Sequence, residues 1–118
     1  MATPTPPHPD PRWERLPRGP DIRRALREGT HHARGRVVLY VLPGRATRVA
    51  FVCGRRVGGA VVRNRARRLM REAWRGLAPG IQGGFDIVLM ARPGIVGARA
   101  ADVAGDLRGA LRDARLIP

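Results

Sequence analysis

The sequence predicts one α/β (α+β) domain, a two-layer sandwich of helices over a mixed sheet. Three observations lead there. The chain has 118 residues, enough to bury one core and too few for a second domain. Its hydrophobic fraction of 43% separates it from disordered basic tails. Its periodic segments run helix, strands, helix, strand, helix, and a strand–helix–strand succession implies a parallel pair joined by a crossover.

Residues 1–19 read as an extended tail with prolines at 4, 6, 7, 9, 11 and 17, and residues 20–118 as the domain. In the tail only Trp13 offers a surface to pack on the domain. Asp21 to Glu28 reads as a short helix, with Pro20 at its start, Gly29 after its end, and Ile22, Ala25 and Leu26 as its apolar stripe. Gly29 to Ala33 reads as a brief extra strand. Arg36 to Leu42 is a run rich in β-branched residues, ended by Pro43-Gly44. Arg48 to Cys53 follows after a short turn, and the two runs are expected to pair as an antiparallel hairpin.

Ala60 to Leu77 is the strongest helical segment. Val62, Ala66, Leu69, Met70, Ala73 and Leu77 fall on one side, and Asn64, Arg67, Arg68, Arg71 and Arg75 on the other. Arg63 and Arg65 flank the apolar stripe, with Trp74 near the Arg63 edge. Phe85 to Ala91 is a mostly apolar strand containing Asp86, stopped by Pro93-Gly94. Ala101 to Ala114 is a last helix with Val103, Leu107, Ala110, Leu111 and Ala114 on one face.

The charge indicates what the domain binds. All 23 basic residues are Arg against 9 acids, a net charge of +14. Such a balance points to a polyanionic partner. Between Arg55 and Arg75 stand eight arginines and one acid, Glu72, which is half of the net charge of +14. A solvated helix face mixes signs, because like charges four residues apart repel. Here Arg63/Arg67, Arg67/Arg71 and Arg71/Arg75 are all like pairs. The repulsion calls for an anion outside the protein. A basic amphipathic helix also suits an anionic membrane, but this helix needs its apolar side for the core. Nucleic acid is the better partner, and Tyr40, on a strand, is the aromatic best suited to a base.

Catalytic constellations are not recognisable. The chain has no Ser, and Cys53 is its only cysteine, which rules out an intramolecular disulfide. His8, His31 and His32 fall in tail or loop, and His31-His32 reads as a solvated pair rather than a metal site. Asp86 reads as an acid at a strand start. The N-terminus lacks an apolar signal core, and the longest apolar run, Val37 to Leu42, is too short to cross a bilayer. Cytoplasmic residence is the expectation.

The run Arg55-Arg56-Val57-Gly58-Gly59-Ala60-Val61-Val62-Arg63-Asn64-Arg65-Ala66-Arg67-Arg68-Leu69-Met70-Arg71-Glu72 closely resembles the signature of the bacterial ribonuclease P protein subunit. That family carries a basic residue, a Gly, a short apolar step, then Arg-Asn-Arg and a basic helix. Asp86-Ile87-Val88 with Ala91-Arg92-Pro93-Gly94 looks like its later strand and exit turn. Arg15-Leu16 with Ile22 looks like its opening motif, and Val38-Leu39-Tyr40 like its first long strand. The similarity runs in order from about Arg15 to Ala114.

The resemblance implies a mixed sheet with a left-handed crossover around the basic helix, where general packing rules favour the right-handed one. It implies a protein, monomeric in the complex, that binds a large catalytic RNA. The complex removes the 5′ leader of precursor tRNA, and the RNA with its Mg²⁺ ions performs the hydrolysis; no catalytic residue and no metal site fall to the protein. Carried over by position, Arg55, Arg56, Arg63, Asn64, Arg65, Arg67, Arg68 and Arg71 face the catalytic RNA. Tyr40, Arg48, Ile22 and Leu26 line the leader cleft between the first helix and the sheet. This chain departs from the family there, because Ile22 and Leu26 stand where aromatics are usual. The competing reading is a generic, ribosome-associated RNA-binding module with no enzymatic role.

Overall fold

The computed structural model describes residues 13–118, and the proline-rich stretch 1–12 lies outside the described residues. Ten elements follow: β1 (Trp13–Arg15), α1 (Pro20–Glu28), β2 (Thr30–Arg34), β3 (Val37–Pro43), β4 (Thr47–Cys53), α2 (Ala60–Leu77), a 3-10 turn at Ala78–Gly80, β5 (Phe85–Ala91), a second at Pro93–Ile95, and α3 (Ala100–Asp113). The five strands form one mixed sheet in the order β1-β4-β5-β3-β2. Among the described residues no helix is long and apolar enough to cross a membrane.

The crossover expected from the strand–helix–strand pattern is present: β4 and β5 are parallel neighbours, and α2 joins them. The expected hairpin is not. The Arg36–Leu42 and Arg48–Cys53 runs do become strands, but β5 lies between them, antiparallel to β3 and parallel to β4. Two features explain the insertion. β5 is the strand most apolar on both faces, with Ile87, Val88 and Leu89 fully buried, and the centre of a sheet is where such a strand gains most. The β3–β4 connection arches over the start of β5, close enough that a Cβ on Gly84 would sit 2.4 Å from the Gly44 carbonyl oxygen. Gly84 therefore makes room for the insertion, and the Gly44 N–H donates to the Gly84 carbonyl at 3.0 Å.

The domain boundary also moves. Trp13–Arg15 pairs in parallel with Thr47–Val49, and Leu16 is buried at 1% exposure. Residues 13–19 thus belong to the domain and not to the tail drawn through residue 19. The sheet uses both faces. On one, α2 and α3 cover Val37, Leu39, Val49, Ile87 and Leu89. On the other, α1 lies over Ala50 and Val88, burying Ala25 beside Leu16, with Ile22, Leu26, Tyr40, Leu42 and Val52 packed around them. Alternation along each strand sends neighbours to opposite faces. Trp74, expected at the margin of the α2 stripe, is fully buried and meets Trp13 edge-on at 5.9 Å and Phe51 at 6.5 Å. The new strand β1 provides that partner.

Ion pairs fasten the periphery. Arg34 forks onto Asp113 and Arg36 reaches Asp106 at 2.9 Å, so two carboxylates of α3 hold the β2–β3 turn. The Asp102 carboxylate accepts the Arg99 N–H at 3.0 Å and caps the start of α3.

Candidate nucleic-acid interface

α2 carries the basic face. Its apolar stripe, Ala66, Met70, Ala73 and Trp74, is buried, and this fixes which side chains point outward. Asn64, Arg65, Arg68 and Arg71 are exposed on the outer surface, while Arg63 and Arg67 are half-buried. Arg55 and Arg56 are exposed in the turn that leads into the helix. All eight residues of the first set therefore lie on α2 and the turn before it, with Arg63 and Arg65 on opposite flanks of the buried stripe. Arg63 Nη1 reaches back to the Gly58 carbonyl at 3.4 Å, Arg67 donates to the Asn64 Oδ1, and Arg71 lies over the Phe51 ring with its guanidinium 5.6 Å from the centroid.

Five of the described arginines pair with carboxylates, and none of the five lies on α2. Arg34, Arg36 and Arg48 are each held by carboxylates. Among the described residues, no arginine from Arg55 to Arg75 makes an ion pair with a carboxylate. The first turn of the helix carries no acid and Gly59 caps it without a side chain, so the positive end of the helix adds to the same field.

The second set is divided by the structure. Ile22, Leu26 and Tyr40 meet in the cluster between α1 and the sheet and remain half-buried. Arg48 sits on the same face and is held by two carboxylates: Nε and Nη2 donate to Asp86 at 2.9 and 2.8 Å, and Nη1 to Asp21 at 3.3 Å. Arg48 thus ties α1 to the sheet, and three of its five N–H donors are used in doing so. The Asp86 hydrogen bonds raise its pKa further above the usual arginine range. Ile22 also lines a groove of about 580 Å³ that Arg67, Arg71 and Arg75 border from the other side. The α1 cleft and the basic helix therefore share a margin.

Sequence reading missed parts of this site. Arg18 and Arg23 line the groove beside Ile22. Their position follows from the packing of α1 on the sheet, for which the sequence carries no short-range signal. His31 and His32 are on β2 and not in a loop. As consecutive strand residues they point to opposite faces, so they do not form one metal site. Among the described residues no group of three or more His, Cys, Asp or Glu side chains is arranged to hold a metal ion. Cys53 is buried, and burial pushes its thiol pKa up, against a smaller opposing pull from Arg67 and Arg63.

Comparison with known proteins places this geometry. The family model for Ribonuclease P matches residues 11–115. The chain belongs to the ribonuclease P protein family. The ribonuclease P protein component of Chloroflexus aurantiacus is 42% identical over 107 residues, covering 88% of this chain and 79% of that protein. That of Chloroflexus aggregans is 38% identical over 109 residues, covering 90% and 81%. The fold is shared with the Staphylococcus aureus RNase P protein, at a TM-score of 0.77 and 22% identity, covering 88% of this chain and 97% of that one. The RNase P protein of Thermotoga maritima gives a TM-score of 0.74 at 26% identity, covering 84% and 96%. The chain is thus a protein component of the ribonuclease P ribonucleoprotein, an endonuclease of tRNA processing, and its family associates with the ribonuclease P RNA.

Proposed function

We propose that this chain holds the catalytic RNA of ribonuclease P on the basic face of α2 and receives the 5′ leader of precursor tRNA in the cleft beside α1. Arg55, Arg56, Arg63, Asn64, Arg65, Arg67, Arg68 and Arg71 contact the RNA subunit. Guanidinium groups suit that task because each bonds phosphate with two arms and remains charged. Asn64 adds an amide that both donates and accepts. Ile22, Leu26 and Tyr40 form the apolar floor of the leader cleft, and Arg48 fixes the position of α1 over it. The RNA and its Mg²⁺ ions carry out the hydrolysis; Mg²⁺ belongs to the RNA and the substrate. The protein acts as a monomer in the cytoplasm, and its contribution is binding and positioning.

The observation that carries this reading is the run of eight arginines between Arg55 and Arg75, with one acid among them and, within the described residues, no carboxylate partner. Reconstitution tests it. The protein is added to the RNA subunit of its own source at low Mg²⁺, and precursor tRNA cleavage is followed. Cleavage should rise sharply with protein and stay absent with protein alone. RNA binding without any gain in cleavage would favour the generic RNA-binding module instead.

A further inference from the structure

His31 and Tyr40 stand directly opposite each other in the β2–β3 ladder. Directly paired residues project from the same face of a sheet. That face is the one under α1, because Tyr40 packs on the Ala25, Ala50 and Val88 cluster. The two rings lie 6.2 Å apart with their planes 39° from each other. His31 is exposed and Tyr40 half-buried, and β2 is the outermost strand on that side. Among the described residues the one partner of the His31 ring is Tyr40. Its neighbour His32 faces the other way, opposite the fully buried Leu39, and lies 3.1 Å from the Thr30 hydroxyl.

We propose that His31 and Tyr40 form a two-ring shelf on which bases of single-stranded RNA stack, with His31 supplying the ring that α1 lacks at Ile22 and Leu26. The inference rests on the leader-cleft reading above and extends the cleft to the sheet edge. A pair of aromatic side chains side by side on a sheet face offers successive bases two adjoining ring faces, and stacking tolerates any base. The imidazole adds ring nitrogens that hydrogen-bond a base edge or a phosphate, which an aliphatic residue does not. The occupant is an anion, since the chain carries a net charge of +14.

The test uses the reconstituted holoenzyme with two precursor tRNAs, one with a leader of several nucleotides and one trimmed to a single nucleotide. The readout is the ratio of their affinities, with a native thermal transition required of each variant. His31→Ala should lower the advantage of the long leader by about five- to tenfold, the low end of base–aromatic stacking. His31→Phe should retain most of it. If Tyr40→Ala lowers the ratio while His31→Ala leaves it unchanged, the shelf is wrong and the leader cleft stands. If neither substitution alters the ratio, the leader cleft itself fails on this face. Equal weakening of both substrates by His31→Ala would also overturn the shelf, since it would place His31 outside the leader path.

Discussion

Arg48 grips Asp86 with two arms, Nε at 2.9 Å and Nη2 at 2.8 Å, and so joins β4 to β5 across the centre of the sheet. Its remaining arm reaches Asp21 in the first turn of α1 at 3.3 Å. One guanidinium thereby links two strands and a helix. Asp86 is the only charged residue among the described buried ones, and it is tolerated because its charge is matched in place.

Loss of Asp86 should therefore cost more than loss of Asp21. Asp86→Asn removes the shorter, two-armed partner of Arg48 in a half-buried site, leaving only the longer Asp21 contact, and should destabilise by about 1–3 kcal/mol. Asp21→Asn removes a longer, more exposed contact and should cost under about 1 kcal/mol. Urea denaturation of both variants checks the order. Equal costs would show that Arg48 does not act through Asp86.

Trp74→Ala should be among the most damaging single changes. The indole is fully buried against Trp13 and Phe51, and among the described residues its N–H has no acceptor, so its worth lies in packing. Truncating such a ring costs about 3–5 kcal/mol. Trp13→Ala should cost less, because that ring is only half-buried and its strand pairs over three residues. Thermal unfolding of both variants measures the difference.

Binding of the RNA subunit should weaken steeply with salt. Six to eight phosphate contacts correspond to a slope of about −4 to −6 in log K against log salt. Arg65→Ala, on the exposed face of α2, should reduce that slope by about 0.7 and weaken assembly by about 1–3 kcal/mol. A slope shallower than about −2 for the intact protein would exclude α2 as the main contact.

Asp113 predicts an acid dependence of stability. The hydrogen bonds from Arg34, at 2.6 and 2.8 Å, hold its carboxyl below the usual carboxylate range. The folded value lies below the unfolded one, so the pair stabilises the protein above the ordinary carboxylate pKa. That contribution is lost as pH falls through the folded value. The pair is exposed and screened, so the effect is small. The melting temperature of the wild type should fall more than that of Asp113→Asn between about pH 6 and about pH 3. Parallel curves would show that the fork is not formed in solution.

Cys53 should be slow to alkylate. Burial raises its thiol pKa and blocks access, so maleimide labelling should proceed at the rate of unfolding and accelerate in denaturant. Rapid labelling of the native protein would mean that the end of β4 opens readily.

Local patterns along the chain were enough to define the elements and the chemistry of the basic face. The 3.6-residue period of Val62, Ala66, Met70 and Ala73 defined α2 from Ala60 to Leu77, and the Phe85–Ala91 run defined β5. These are local properties: the apolar residues of an amphipathic helix must face the core, so the arginines between them must face out. The Arg-Asn-Arg run pointed to the family for the same reason, since its spacing along one helix is written in the chain. Tertiary structure alone decided the order of the strands, the partners of Arg48 and the placing of His31 beside Tyr40. The short connection between β3 and β4 reads locally as a hairpin, yet β5, 32 residues beyond Cys53, enters between them because its two apolar faces need the centre of the sheet. Arg48 and Asp86 become partners only through that insertion. The pairing of β2 with β3 likewise turns two separate residues, His31 and Tyr40, into one surface, because register is set by contacts between segments and not by the composition of either.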